Sequence, residues 1–231
     1  MQYKNIVEGI FLERPNRFIA RVEVNGEERI SHVKNTGRCR ELLVKGARVY
    51  LDVSDNPERK TPFDLVTVEK RRESRGPLLI NMDSQAPNDL VAEWLPRSGL
   101  FSPDAVIRRE VTYGKSRFDF CITEGERVSF LEVKGVTLEA DGVAKFPDAP
   151  TERGVKHLIE LTEAVEAGYG GNIVFVIQMS GTKYFTPNAE TDPAFSDALV
   201  KARARGVRIT AVECDVTAET VSITGTVELG F

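Results

Sequence analysis

The sequence predicts an α/β chain, α+β taken overall: a small β-barrel followed by a mixed sheet flanked by helices. Three observations carry this. Five short β-rich runs separated by turn residues fill positions 9–70. Beyond a Gly/Pro-containing boundary, strand patterns alternate with helical ones. One nearly uninterrupted apolar run, Asn172-Ile173-Val174-Phe175-Val176-Ile177-Gln178, reads as a central strand covered on both faces. A chain of 231 residues allows one large domain or two small ones. The boundary is placed between Gly76-Pro77 and Pro87, giving residues 1–84 and 85–231.

In the first part, Gly9–Arg17 runs into Phe18–Val24, where apolar and polar residues mostly alternate. Asn25-Gly26 is the strongest short hairpin signal, and Glu28–Val33 is its return strand. Ala47–Val53 and Asp64–Lys70 complete the five. Size and strand count suit an OB-like barrel, and an SH3-like barrel fits nearly as well on these signals.

In the second part, Asn88 suits the N-cap of a helix over 89–97, with Leu90, Val91, Trp94 and Leu95 on its apolar side. Strands are expected at 105–111, 116–123 and 128–136. A helix over 152–167 carries the stripe Val155, Leu158, Ile159, Thr162 and Val165. Gly168 is its expected C-terminal cap. The central strand, a helix at 193–205 and strands near 207–214 and 221–228 follow.

Composition removes several functions. No apolar run approaches the roughly 20 residues needed to span a bilayer, and Met1–Ile6 holds no apolar core of a secretory signal. Cys39, Cys121 and Cys214 are scattered and form no CxxC pair, so neither a disulfide framework nor a thiolate zinc site is expected. A cytoplasmic location follows. With only His32 and His157, a histidine-rich catalytic centre is excluded, and any catalytic metal must rest on oxygen ligands. Those ligands favour Mg2+ or Mn2+. Residues 1–80 carry 16 Lys and Arg against 12 Asp and Glu, whereas the remainder carries 15 against 23. That basic-then-acidic split hints at two modules, although an imbalance of this size also arises by chance.

The segment with chemical content is Ser116–Lys134. Two strands flank a turn at Gly125-Glu126, which sets Asp119 opposite Glu132. Glu132 and Lys134 then share a face with Asp119, and Phe118, Phe120, Leu131 and Val133 take the other. Opposed carboxylates repel and are destabilising without a cation. A divalent ion removes that cost and can activate a water on a phosphodiester. Lys134 can offset charge developing on the phosphate. Glu110, on the preceding strand, is a further candidate ligand. On spacing alone, solvated strand carboxylates are the commoner explanation. The core-like composition of both strands weighs against it.

Phe146–His157 follows, with Thr151 capping a helix whose N-terminus offers free N–H groups to a phosphate. Arg153 and His157, at i and i+4, share one face; a capped helix with a solvated polar face is the plainer alternative. In the first part, Lys34-Asn35-Thr36-Gly37-Arg38-Cys39-Arg40 is a basic, glycine-containing loop after a strand. There Arg38 and Arg40, with Asn35, can contact phosphates or bases; an ordinary charged loop is as good a reading.

Taken together, the stretches Asn35-Thr36-Gly37-Arg38, Ser54–Pro57, Arg108–Gly114 leading into Ser116–Phe120, Glu132–Leu138 and Phe146–Leu158 make the chain similar to the sugar fermentation stimulation protein family of bacteria and archaea. The resemblance implies an N-terminal OB-like domain and a C-terminal PD-(D/E)xK nuclease-like domain. It implies Asp119, Glu132 and Lys134 as the nuclease triad, Glu110 as an additional ligand and Gln178 as an accessory. It also implies nonspecific DNA binding and a regulatory role in sugar, including maltose, utilisation. Gly135 stands where Ser is frequent in the family. Two functions follow as expectations: a Mg2+- or Mn2+-dependent nuclease acting on DNA or RNA, or a non-catalytic DNA-binding regulator on a nuclease scaffold. No zinc and no membrane partner are expected, and a homo-oligomer is left open.

Overall fold

A computed structural model describes residues 1–35, 37–72 and 76–231. Thr36, part of the motif quoted above, lies outside the described residues. The first part contains β1 (Ile6–Asn16), β2 (Ile19–Val24), β3 (Glu27–Val33), β4 (Arg48–Val53), β5 (Phe63–Lys70) and β6 (Leu78–Asn81). Strand order β3-β2-β1-β4-β5-β6 with an added β3–β5 pairing closes the first five strands into a barrel. The β3–β5 contact is parallel and the others are antiparallel. This is the OB connectivity, and it decides against the SH3-like alternative. The Asn25-Gly26 turn forms as the sequence requires: both residues have positive φ, 53° and 80°, and Val24 pairs with Glu27.

The second part contains α1 (Ala86–Trp94), β7 (Val106–Tyr113), β8 (Ser116–Glu124), β9 (Arg127–Val136), β10 (Leu138–Ala140), β11 (Val143–Phe146), α2 (Glu152–Glu166), β12 (Gly170–Ile177), β13 (Tyr184–Pro187), α3 (Pro193–Ala204), β14 (Arg208–Val216) and β15 (Val221–Val227). Its main sheet runs β15-β14-β12-β9-β8-β7. The apolar strand β12 lies between β9 and β14, parallel to both. α1 packs on one face with Phe120, Leu131, Val133 and Val174. α2 and α3 cover the other with Phe118, Phe130, Ile173 and Phe175. A small sheet, β10-β11-β13, sits beside them.

Two helix expectations are corrected. The first helix starts at Ala86 with Gln85 as its N-cap, so Asn88 lies inside the first turn. Pro87 explains the earlier start, because the first turn has no use for its missing N–H. On α2 the buried stripe is Gly154, His157, Leu158, Leu161 and Ala164, and Ile159 is 51% exposed. The expected stripe was rotated because it left out Gly154 and His157, which the tertiary packing draws inward. Thr151 does cap this helix, accepting from the Gly154 N–H at 3.0 Å, and Gly168 follows the C-cap Ala167 with φ 92°.

Barrel and sheet are joined by polar contacts as well as by a shared apolar cluster. Lys70 on β5 reaches the buried Glu139 on β10, Nζ to Oε2 2.6 Å. Gln178 donates through Nε2 to Asn81 Oδ1 and the Asp83 carbonyl, and within the first part Lys34 holds the buried Asp83 at 2.5 Å. Among the described residues no helix is long and apolar enough to cross a membrane.

Candidate metal centre

Two antiparallel strands bring the carboxylates together. The β8–β9 ladder runs from Glu124↔Arg127 to Phe120↔Leu131, which sets Asp119 and Glu132 at the next step. There the ladder stops, and the Asp119 side chain takes over the hydrogen bonding: Oδ2 accepts from the Val133 N–H at 2.7 Å. Its Oδ1 accepts from Asn88 Nδ2 at 2.8 Å. The residue expected to cap α1 therefore orients Asp119 from within that helix.

Glu132 is 3% exposed. Its Oε1 accepts from Lys134 Nζ at 2.5 Å and from His157 Nδ1. Among the described residues its Oε2 is buried with no hydrogen-bond partner, which is costly for a buried polar atom. Burial pushes Asp119 above the usual carboxylate range, and the neighbouring Glu132 charge adds to this. Burial acts the same way on Glu132, but the His157 hydrogen bond and the Lys134 charge outweigh it and hold that carboxyl low. The two adjacent carboxyls are thus shifted in opposite directions.

The remaining expected residues are placed differently. Glu110 lies opposite Asp119 by register, between the pairs Arg109↔Phe120 and Val111↔Phe118. Yet it has φ 57°, is exposed, and is paired with Arg117 at 2.8 Å. The left-handed backbone breaks the side-chain alternation, so register does not give a shared face. Phe118 lies on the α2 side, apart from Phe120, Leu131 and Val133, which corrects the expectation of one common face. His157 is not on a solvated face: it is 4% exposed and touches Glu132. Arg153 is exposed, with Nε 3.5 Å from His157 Nε2. Gln178 is buried and committed to Asn81 and Asp83. A Cβ on Gly135 would meet Gln178 Oε1 at 2.6 Å and Pro87 at 2.9 Å, so this packing suits glycine.

The basic loop lies where the two domains meet. Arg14 donates to the carbonyls of Asn35, Gly37 and Arg38 at 2.7–2.9 Å, and the Asn35 Oδ1 accepts from the Gly37 N–H. The Arg38 N–H donates to Asp148, in the segment before α2. The side chains of Arg38 and Arg40 are exposed. Among the described residues no group of three or more His, Cys, Asp and Glu stands ready to hold a metal. A cation here would rest on Asp119 and Glu132, with water or substrate filling its other positions, as Mg2+ commonly does.

Comparison with known proteins agrees with both halves. Residues 12–75 match the SfsA N-terminal OB domain, and residues 85–220 match the sugar fermentation stimulation protein RE domain. A sugar fermentation stimulation protein homolog of Desulfitobacterium hafniense is 56% identical over 221 residues, covering 96% of this chain and 94% of its own. One from Ruminiclostridium cellulolyticum is 53% identical over 229 residues, 99% of each chain. The structure of Pyrococcus furiosus SfsA in complex with Ca2+ superposes with a TM-score of 0.87 at 25% identity, covering 100% of this chain and 98% of that one.

Proposed function

The chain belongs to the sugar fermentation stimulation protein family, and on that premise we propose that it binds nucleic acid and hydrolyses phosphodiester bonds as a Mg2+- or Mn2+-dependent nuclease. The observation that carries this reading is the Glu132 Oε2 beside Asp119, buried and without a partner among the described residues. The Pyrococcus furiosus relative is a complex with Ca2+, and the oxygen donors here suit a hard divalent cation. When bound, such an ion polarises a phosphodiester and lowers the pKa of a bound water. Asp119 and Glu132 hold it. Asn88 and the Val133 N–H fix the Asp119 carboxylate. Lys134 stands against Glu132 and compensates charge growing on the phosphate. Arg38, Arg40 and Arg153 supply exposed positive charge for the backbone of DNA or RNA. Such a substrate and three free, buried cysteines fit a cytoplasmic protein.

The test is incubation with labelled single- and double-stranded DNA and RNA in Mg2+, Mn2+ or EDTA. Cleavage by the parent that is lost in EDTA, Asp119→Ala and Glu132→Ala supports the reading. Cleavage surviving both substitutions removes the site from the chemistry. A parent that binds but never cleaves favours the second reading, a nonspecific DNA-binding regulator. One observation speaks for that reading: the exposed Arg38 and Arg40 lie on a loop that Arg14 fixes independently of the carboxylates.

A further inference from the structure

We infer that His157 is a positioning residue for Glu132: by occupying Oε1 together with Lys134, it leaves Oε2 as the oxygen that meets the cation. This rests on the reading that Asp119 and Glu132 hold a divalent ion.

The distribution of donors is lopsided. Two side chains, Lys134 and His157, converge on Oε1 of a buried carboxylate, and among the described residues none reaches Oε2. Metal-binding carboxylates are themselves held by hydrogen bonds from an outer shell, and His157 comes from an element well fixed for that task. Its ring packs edge-on to Phe118, centroids 6.3 Å apart. Three residues earlier, Gly154 lets α2 approach Phe195 closely, since a Cβ there would lie 3.1 Å from that ring. On the far side of the ring, Arg153 Nε lies 3.5 Å from His157 Nε2. Nδ1 is the nitrogen that faces Glu132, and against a carboxylate oxygen it is the donor. The contact that would place His157 among nucleic-acid ligands is thus spent on Glu132 and Arg153.

The experiment is Mn2+ titration by calorimetry of the full chain and of His157→Ala, His157→Asn and His157→Gln. Loss of an outer-shell partner costs about 10–100-fold in metal affinity, and that weakening is expected for His157→Ala. The Asn amide nitrogen falls near the Nδ1 position, so His157→Asn should recover most of the affinity. The Gln amide reaches toward Nε2, so His157→Gln should not. A second measurement needs no metal: the melting temperature of His157→Ala in the parent and in a Glu132→Gln background. A residue acting through Glu132 costs less stability once that carboxylate is gone, whereas pure packing costs the same in both. Parent-like Mn2+ affinity in His157→Ala, equal recovery by Asn and Gln, or an undiminished melting penalty in the Glu132→Gln background each overturns the assignment. If the parent takes up no Mn2+, the cation reading fails, and the melting comparison still decides whether His157 acts on Glu132.

Discussion

At the scale of single residues, the division of labour within the acidic pair sets the expected phenotypes. Asp119 has its carboxyl raised by burial and by Glu132. Its proton competes with a cation, so Mn2+ affinity should fall as pH is lowered through that raised value, and Asp119→Asn should bind no ion at any pH. Calorimetry across a pH series checks both; equal affinity in parent and variant would remove Asp119 from the metal's ligands. Lys134 is no ligand. Lys134→Ala should lower turnover on the order of 10²–10³-fold even at saturating Mn2+, the usual cost of a preorganised electrostatic group, beside a weaker Mn2+ affinity from the lost hydrogen bond to Glu132. Lys134→Arg should recover only part, because a planar guanidinium does not replace a compact ammonium. Steady-state rates on one nucleic-acid substrate, beside Mn2+ titrations, separate the two effects.

The joining residue Glu139 gives a prediction about acid stability. Burial pushes its carboxyl up, but Lys70 and the Gly142 N–H outweigh this and hold it below the ordinary 4.5. A depressed carboxylate stabilises the fold above its unfolded value and loses that contribution as pH falls through the folded value. Melting temperature should therefore drop in the acid range below 4.5 in the parent, and less steeply in Glu139→Gln. Lys70→Met, which strands a carboxylate only 5% exposed, should cost about 3–5 kcal/mol at neutral pH.

At the scale of elements, α2 links helix capping to the site. Thr151 Oγ1 receives the Gly154 N–H, and the Thr151 N–H in turn donates to Asp192, the N-cap of α3. The starts of the two helices are thereby tied together. Thr151→Ala should cost about 1 kcal/mol in urea unfolding, the typical value for a lost cap. Because His157 rides one turn further on, the same variant should also weaken Mn2+ uptake modestly. A full stability loss with unchanged Mn2+ affinity would show that the cap does not transmit to the site. α1 plays the matching part for the other carboxylate, through Asn88.

At the scale of the whole molecule, the barrel's basic loop and the carboxylate site are held in one frame by Asn81–Gln178, Lys70–Glu139 and Arg38–Asp148. Positive charge on one domain and candidate chemistry on the other suit a ligand that runs across both. The double variant Arg38→Ala, Arg40→Ala should weaken nucleic-acid binding at every sequence. It should also reduce the slope of log affinity against log salt by about 2, each phosphate contact contributing close to one. Fluorescence anisotropy over a salt series reads both; unchanged affinity and slope would clear the loop of any contact.

Local chemistry and periodicity were enough to mark the barrel strands, the Asn25-Gly26 hairpin, the central strand, the Thr151 cap and the register that opposes Asp119 to Glu132. Each depends on neighbours in sequence or on a two-residue turn, so each is written in the chain. Other features depended on packing between segments far apart. Parallel β3–β5 pairing chose the OB barrel over its rival, because closure joins strands that no turn connects. Glu110 takes a left-handed backbone and pairs with Arg117, neither of which a register count along the strands reveals. His157 and Asn88 became partners of the two carboxylates only when α2 and α1 came to rest near the sheet. A polar side chain read along its own helix looks solvated, and only the tertiary fold shows that its partner is a buried carboxylate on another strand.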